Sequence, residues 1–236
     1  MVHYIPLRTK KIPVVYEDQA LLLVDKPAGL LSVGGEGSSG RDLTSLLQEY
    51  FRLRNARGEL IACHRLDRET SGIMVLTKDR RSAQAIMDAF RNRQVKKTYV
   101  AFVQGDFALP RGSWEHRLHG AWPYSEQQPK TALSHFQTVL RHRRFSVLKL
   151  QPVTGRTNQL RLQLQAVGYP LVGDRRFSLA RQWAVPFPRA ALHSWRIAFR
   201  HPVSGAPLQC SAPLPDDMRE FLTAQGINYE RFLAKL

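Results

Sequence analysis

Apolar runs of strand length, more numerous than helical stripes and not alternating regularly with them, constrain this chain more than any other feature. Residues 21–25, 73–76, 98–103, 132–140, 145–150, 192–199 and 207–212 read as strands. Helical spacing is confined to three places. Leu43, Leu46, Leu47, Tyr50 and Phe51 mark a helix over about 42–54, and Ala83, Ile86, Met87 and Phe90 a second. Met218, Phe221 and Leu222 mark a third, stopped near Gly226. That order predicts an α+β fold with a mixed, largely antiparallel central sheet flanked by helices, not a doubly wound one. With 236 residues and 43% hydrophobic composition, the chain can bury a substantial core in one large domain or two small ones.

Three stretches read less cleanly. Residues 32–40 are rich in Gly and Ser and predict a loop. Residues 112–130, with Trp114 and Trp122, read as a long irregular connection whose aromatics either stack on bases or simply pack. In 157–167, Leu160, Leu162 and Leu164 have strand period, yet Leu160, Leu164 and Val167 also form a helical stripe. Gly168 stands where a helix would end. Periodicity alone does not decide that segment.

Charge narrows the partners. The formal net charge is +16, and between Gln127 and Pro215 the only acid is Asp174, against thirteen Lys and Arg. A solvated surface mixes signs, so a long segment of one sign points to a polyanion, and the predominance of Arg suits phosphate forks and base stacking. Nucleic acid fits best; no basic amphipathic helix favours a membrane. The two cysteines, Cys63 and Cys210, have no metal-type spacing and suggest a reducing, cytoplasmic setting. No signal peptide or membrane span is recognisable.

The segment 64–79, HRLDRETSGIMVLTKD, places His64, Arg65, Asp67 and Arg68 immediately before the interior strand. It reads as a charged loop docked onto a strand end, and a lone Asp in such a loop is ordinarily a cap or turn residue. The segment strongly resembles the catalytic motif of the RluA-type pseudouridine synthases, which runs His-Arg-Leu-Asp, two variable residues, Thr-Ser-Gly, a hydrophobic strand and Lys-Asp. Four further stretches match that family in order: DKPAGL at 25–30, KKTYVAFVQG at 96–105, GRTNQLRLQ at 155–163 and LHSWRIAFRHPVSG at 192–205. The match spans about 14–215, and five motifs in register are highly specific.

The resemblance implies a single catalytic domain over 1–236 that isomerises uridine to pseudouridine in tRNA, large-subunit rRNA or both, as a monomer and without a cofactor or metal. It also implies a helix after the Gly-Arg turn, which resolves the ambiguous segment. Many relatives carry an N-terminal S4-type RNA-binding domain; with the reactive Asp at 67 there is no room for one, so RNA binding falls to the catalytic domain. The sequence departs from the family at Asn158 and Gln163, where His is common, and at Phe177, where Tyr is usual. None of these is expected to touch the reacting groups.

By the same resemblance Asp67 is the reactive carboxylate, either a nucleophile or a proton acceptor, so attack on ribose C1′, attack on base C6 and a glycal route all stay open. Arg161 is its paired cation, Tyr99 packs on the flipped uracil, and Leu160 is the apolar floor. Burial alone would protonate a carboxylate, so the cation has a physical reason. A stacked uridine must be flipped out to reach Asp67; Arg65 is the candidate to fill the vacancy and His64 its helper. Lys26 supports structure or meets phosphate, and Arg156 is a further RNA-binding candidate. A nonenzymatic RNA-binding module shares the charge but leaves Asp67, Tyr99 and Arg161 unexplained. A metal-dependent nuclease calls for clustered carboxylates, and only Glu69 lies near.

Overall fold

The computed structural model describes residues 3–7, 11–35, 41–54, 58–118, 128–177 and 185–236. In chain order its elements are β1 (His3–Pro6), β2 (Lys11–Glu17), β3 (Leu21–Lys26), α1 (Leu43–Leu53), β4 (Ile61–Ala62), β5 (Ser71–Thr77), α2 (Arg80–Arg91), β6 (Lys96–Gln104), β7 (Arg111–Leu118) and β8 (Lys130–His142). Then follow β9 (Phe145–Pro152), α3 (Gln159–Ala166), β10 (Leu192–Arg200), β11 (Pro207–Ser211), α4 (Asp216–Ala224) and α5 (Tyr229–Leu233). The fold is α+β and its strands pair largely antiparallel.

The chain forms two compact units, Met1–Lys96 with Ser194–Pro213, and Lys97–His193 with Leu214–Leu236. In the first, strands run β1-β2-β3-β5-β10, with β4 beside β5 and β11 beside β10. All seven residues of β5 are buried. Ile73 and Val75 join one core with Leu21, Leu23 and Ile86, while Met74 and Leu76 join another with Leu22, Val24 and Leu43. Successive side chains leave a strand on opposite faces. A continuous apolar run is therefore what a strand covered on both faces requires. Gly72 precedes that run because its backbone, at φ 112°, lies against Ser194: an added Cβ would stand 2.3 Å from the Ser194 carbonyl oxygen. The helices α1 and α2 that cover β5 each start at an Asp. Asp42 accepts from the Ser45 N–H at 3.1 Å and Asp79 from the Ser82 N–H at 2.7 Å, which satisfies donors that a helix start leaves open.

In the second unit the order is β6-β9-β8-β7. Here the expected irregular connection is corrected: 111–118 is β7, paired with β8 from Arg111–Gln137 to Leu118–Lys130. Only one face of β7 is covered, so its outward residues are polar and the apolar alternation is missing. Trp114 is buried and stacks on Phe136 at 4.4 Å, so its role is packing. Trp122 and residues 36–40 of the Gly/Ser stretch lie outside the described residues. The segment 159–166 is helical, as the resemblance implied, and Gly168 follows it at φ 81°.

Candidate functional site

In the first unit, the loop carrying Asp67 is clamped on both sides. Before it, Leu66 is fixed by Ser32, whose hydroxyl donates to the Leu66 carbonyl at 2.7 Å and accepts the Leu66 N–H at 2.9 Å. After it, the Arg68 carbonyl accepts the Gly29 N–H at 2.8 Å and the Lys26 ammonium at 3.3 Å. Arg68 returns a bond from Nε to the Gly29 carbonyl at 3.1 Å. The Thr70 N–H closes the turn on the Asp67 carbonyl at 3.0 Å. The DKPAGL turn and the Asp67 loop are thus one hydrogen-bonded body, although 42 residues separate Lys26 from Arg68.

Lys26 is fully buried. Its ammonium also donates to the carbonyls of Pro27 at 3.0 Å and Leu30 at 2.8 Å. Of its two candidate roles, this geometry supports that of a structural clamp. Lys26→Met keeps the aliphatic stem and leaves these carbonyls unpaired, so stability should fall by about 1–3 kcal/mol. Urea denaturation checks this; an unchanged midpoint would mean that the clamp contributes nothing.

The side chains around Asp67 differ in exposure. Asp67 and His64 are half-buried and Arg65 is exposed. His64 accepts the Val75 N–H at Nε2, 3.0 Å away, and its ring lies 4.9 Å from that of Phe90. It therefore joins the loop to β5, which is a holding role, while Arg65 reaches outward from a loop that cannot easily move.

In the second unit, Arg161 of α3 is buried and held in a cradle. It forks onto Asp174 with Nε to Oδ2 at 2.7 Å and Nη2 to Oδ1 at 2.8 Å. Nη1 donates to Asn158 Oδ1 at 3.1 Å, and the guanidinium lies 4.7 Å over the Phe177 ring. Asp174 is itself buried and fixed, its Oδ1 accepting the N–H groups of Arg176 and Phe177 at 3.1 and 3.2 Å. Gly173 permits this approach at φ 75°, where a Cβ would lie 2.0 Å from the Arg189 carbonyl oxygen. Two family departures, Asn158 and Phe177, thus do touch a candidate reacting group, contrary to expectation. Asn158 adopts a left-handed conformation, φ 53° and ψ 21°, at the start of α3, one that Asn tolerates better than most residues.

The third departure is structural. Gln163 is fully buried, accepts the Ser134 hydroxyl at 2.6 Å and donates to the Ala132 carbonyl at 2.9 Å. Gln159 bonds the Leu133 carbonyl at 3.1 Å and the Ser134 hydroxyl at 3.0 Å. The two glutamines lock α3 onto β8, and with it the position of Arg161. Leu160 is buried on the same helix. Arg156, just before it, is exposed and donates from Nε to the Thr131 carbonyl at 3.3 Å. Tyr99 is buried on β6 opposite Leu150 of β9. On the same face of β6, Lys97 sits beside Gly155, and burial pulls its ammonium pKa below the ordinary value.

In the first unit the structure therefore gathers His64, Arg65 and Asp67 on one loop, clamped by Lys26 at the end of β3. In the second it gathers Arg156, Leu160 and Arg161 at α3. Ser32 and Gln159 escaped sequence reasoning, and Gln163 and Asp174 entered it without their structural roles. For Asp174 a signal existed: it is the lone acid of a strongly basic stretch, and a buried arginine needs a counter-charge. Among the described residues no group of His, Cys, Asp and Glu could hold a metal ion.

Comparison with known proteins bears on what these groups serve. A family model for RNA pseudouridylate synthase matches residues 20–166. The "Dual-specificity RNA pseudouridine synthase RluA" of Yersinia pestis is 33% identical over 208 residues, which cover 84% of this chain and 98% of that protein. The "Ribosomal large subunit pseudouridine synthase D" of Nitrosomonas europaea is 32% identical over 224 residues, 90% of this chain and 65% of the relative's length. Among solved structures, that of human RNA Pseudouridylate Synthase Domain Containing 4 covers 89% of this chain at 23% identity with a TM-score of 0.75. It superposes over 91% of its own length, and so shares the fold. On the family model and the near full-length match to the Yersinia enzyme, the chain belongs to the RNA pseudouridine synthase family.

Proposed function

We propose that this chain converts uridine to pseudouridine in transfer RNA, large-subunit ribosomal RNA or both, with its two units working as one catalytic domain and Asp67 as the reactive carboxylate. The observation that carries the reading is the clamped Asp67 loop, a half-buried carboxylate on backbone held from both sides. Such preorganisation is what a reaction at one atom of a flipped base demands. The relatives whose names specify a target act on ribosomal RNA or have dual specificity, which is why both substrates are tested. The two cysteines are free thiols, and among the described residues no helix is long and apolar enough to cross a membrane. On this proposal the enzyme is a monomer in the cytoplasm.

The chemistry is an isomerisation. The bond from C1′ to N1 breaks, the base turns, and C5 bonds to C1′; the C5 proton is lost as N1 gains one, so atoms and charge balance. Asp67 attacks C1′ or C6, or removes a ribose proton to give a glycal, and in each route it acts as an ionised carboxylate. Arg161, fixed by Asp174, supplies orientation and hydrogen bonds. Because Asp174 offsets its charge, its contribution is more directional than net electrostatic. Tyr99 and Leu160 pack on the extruded uracil. Mapping pseudouridine in transfer and ribosomal RNA incubated with and without the protein tests the reading; no new pseudouridine in either RNA would overturn it.

Arg65 fills the vacancy left in the RNA stack, its planar guanidinium replacing the base. Extrusion costs a few kcal/mol in a stacked stem and less in an unpaired strand. Arg65→Ala should therefore lose most of its single-turnover rate on a stem-loop and far less on a short unpaired oligonucleotide. Equal fractional losses on both would make Arg65 a support for the loop instead.

A further inference from the structure

The sheet of the second unit has two unlike faces. The inner one is buried through Trp114, Ala132, Ser134, Phe136 and Leu150 and receives Gln163 of α3. On the outer face the register aligns Arg111 with Gln137 and Lys149, and Ser113 with His135 and Gln151. Farther along β7, Arg117 stands opposite Thr131. Towards β6 this outer face is closed by α4, where Phe221 meets the rings of Phe102 at 5.6 Å and Phe145 at 5.0 Å. Beyond that cover a groove of about 590 Å³ lies open, lined by Arg111, His135, Gln137, Lys149 and Gln151 among others.

The charge on these strands is one-sided. Glu115 is the only acid of β7, β8 and β9, against Arg111, Arg117, Lys130, Arg141 and Lys149. Arg141 is already forked onto Asp106 at 2.7 and 2.8 Å, and Lys149 donates to the Leu236 carbonyl at 3.0 Å. Arg111 and Arg117 are exposed and nothing acidic stands opposite either in the ladder, although Glu115 lies two residues before Arg117 on the same face and Arg117 Nη2 donates to the Pro129 carbonyl at 3.4 Å. Six residues apart on one strand, they span roughly 20 Å, and two strand spacings carry the row from Arg111 to Lys149 over about 10 Å. The solvated side of an antiparallel sheet is ordinarily polar, but ordinarily of mixed sign. Apart from Glu115, which shares this face between the two arginines, the Arg, Lys, His, Gln, Ser and Thr side chains offer hydrogen-bond donors and net positive charge, and among the described residues no exposed aromatic on which a base would stack. That combination suits a phosphate backbone without sequence preference.

We propose that the outer face of β7, β8 and β9, centred on the groove between Arg111 and Lys149, docks the phosphate backbone of substrate RNA outside the segment that enters the site. This deepens the reading of the chain as an RNA pseudouridine synthase and rests on it. The contact is electrostatic, adds affinity without sequence information, and takes no part in the chemistry.

The test is the double variant Arg111→Gln with Arg117→Gln, two exposed positions outside the site, compared with the wild-type chain on a transfer-RNA-sized stem-loop and a short unpaired oligonucleotide. On the large RNA the plot of log K against log salt should become shallower by about 1.4–1.8 for two phosphates lost, with weaker binding at low salt. On the short oligonucleotide, affinity should stay the same, as should single-turnover rates at saturating enzyme on both RNAs. An unchanged slope and affinity on the large RNA overturns the proposal, and so does an equal loss on the short one, which would put these arginines in the site. Loss of binding to anionic phospholipid vesicles with RNA binding intact assigns the face to a membrane and also overturns it. Pseudouridine formation by the wild-type chain is scored separately. Its absence sinks the enzymatic reading, while the slope comparison still decides whether this face binds RNA.

Discussion

Asp67→Asn should abolish pseudouridine formation while leaving the fold and RNA binding in place. The amide keeps the shape of the carboxylate but can neither attack carbon nor accept a proton at useful strength. Loss of a nucleophile or general base costs on the order of 10⁴- to 10⁶-fold, which in a single-turnover assay is background. The fold should survive because the bonds that set the loop's path come from the Ser32 hydroxyl, the Lys26 ammonium and backbone groups of Gly29, Leu66, Arg68 and Thr70. Three measurements on one preparation decide the matter: pseudouridine yield, RNA affinity and the urea midpoint. A variant working within a few-fold of wild type would remove Asp67 from the chemistry. A variant that instead lost its fold would mean that the carboxylate holds the loop, and the clamp would need another explanation.

How legible the protein was from its sequence varies with how each segment is covered. The strand β5 was readable because both of its faces are buried, leaving four apolar residues in a row between polar ends. The strand β7 was not, because its covered face shows chiefly Trp114 while the other face is Arg, Ser and Glu. The pattern also misses β1, β2 and α5. In β2 the Pro13 that pairs with Tyr4 breaks the run, and α5 has only five residues. Helix α3 was ambiguous for a physical reason: Gln159, Arg161 and Gln163 are buried polar residues satisfied by hydrogen bonds. Its apolar stripe is correspondingly thin, and the motif resemblance decided what periodicity did not. The same holds for the candidate site. The Asp67 motif stands in one stretch, whereas its clamp joins residues 34 apart at Ser32–Leu66 and 42 apart at Lys26–Arg68. Spacing along a chain carries no record of such pairings. Asp174 lies closer to its partner, yet the fork depends on a turn at Gly173 whose direction the sequence does not state.

The cradle around Arg161 yields the second large effect. Arg161→Lys keeps a positive charge but loses the fork, since an ammonium cannot bond both Asp174 oxygens in the plane while spanning to Asn158 and lying flat on Phe177. If Arg161 acts by placing donors at the reacting groups, the single-turnover rate should fall by about 10²- to 10³-fold, as it does when one preorganised donor is removed. Asp174→Asn should reach a similar rate by another path, because the guanidinium loses its anchor without losing its own atoms. It should also lower stability by roughly 3–5 kcal/mol, the cost of leaving one member of a buried pair uncompensated, so rates are to be compared at a temperature where both variants are folded. Asp174→Glu retains the anion and should recover part of the rate. The decisive comparison is the double variant Arg161→Lys with Asp174→Asn. Residues that act as a unit are strongly non-additive. If Asp174 works only through Arg161, the double variant should be no slower than Arg161→Lys alone. Multiplied losses would show two independent contributions, and Asp174 would then have to meet the substrate by itself. A rate near wild type in Arg161→Lys would dismiss the fork altogether and leave the charge as the only part that matters.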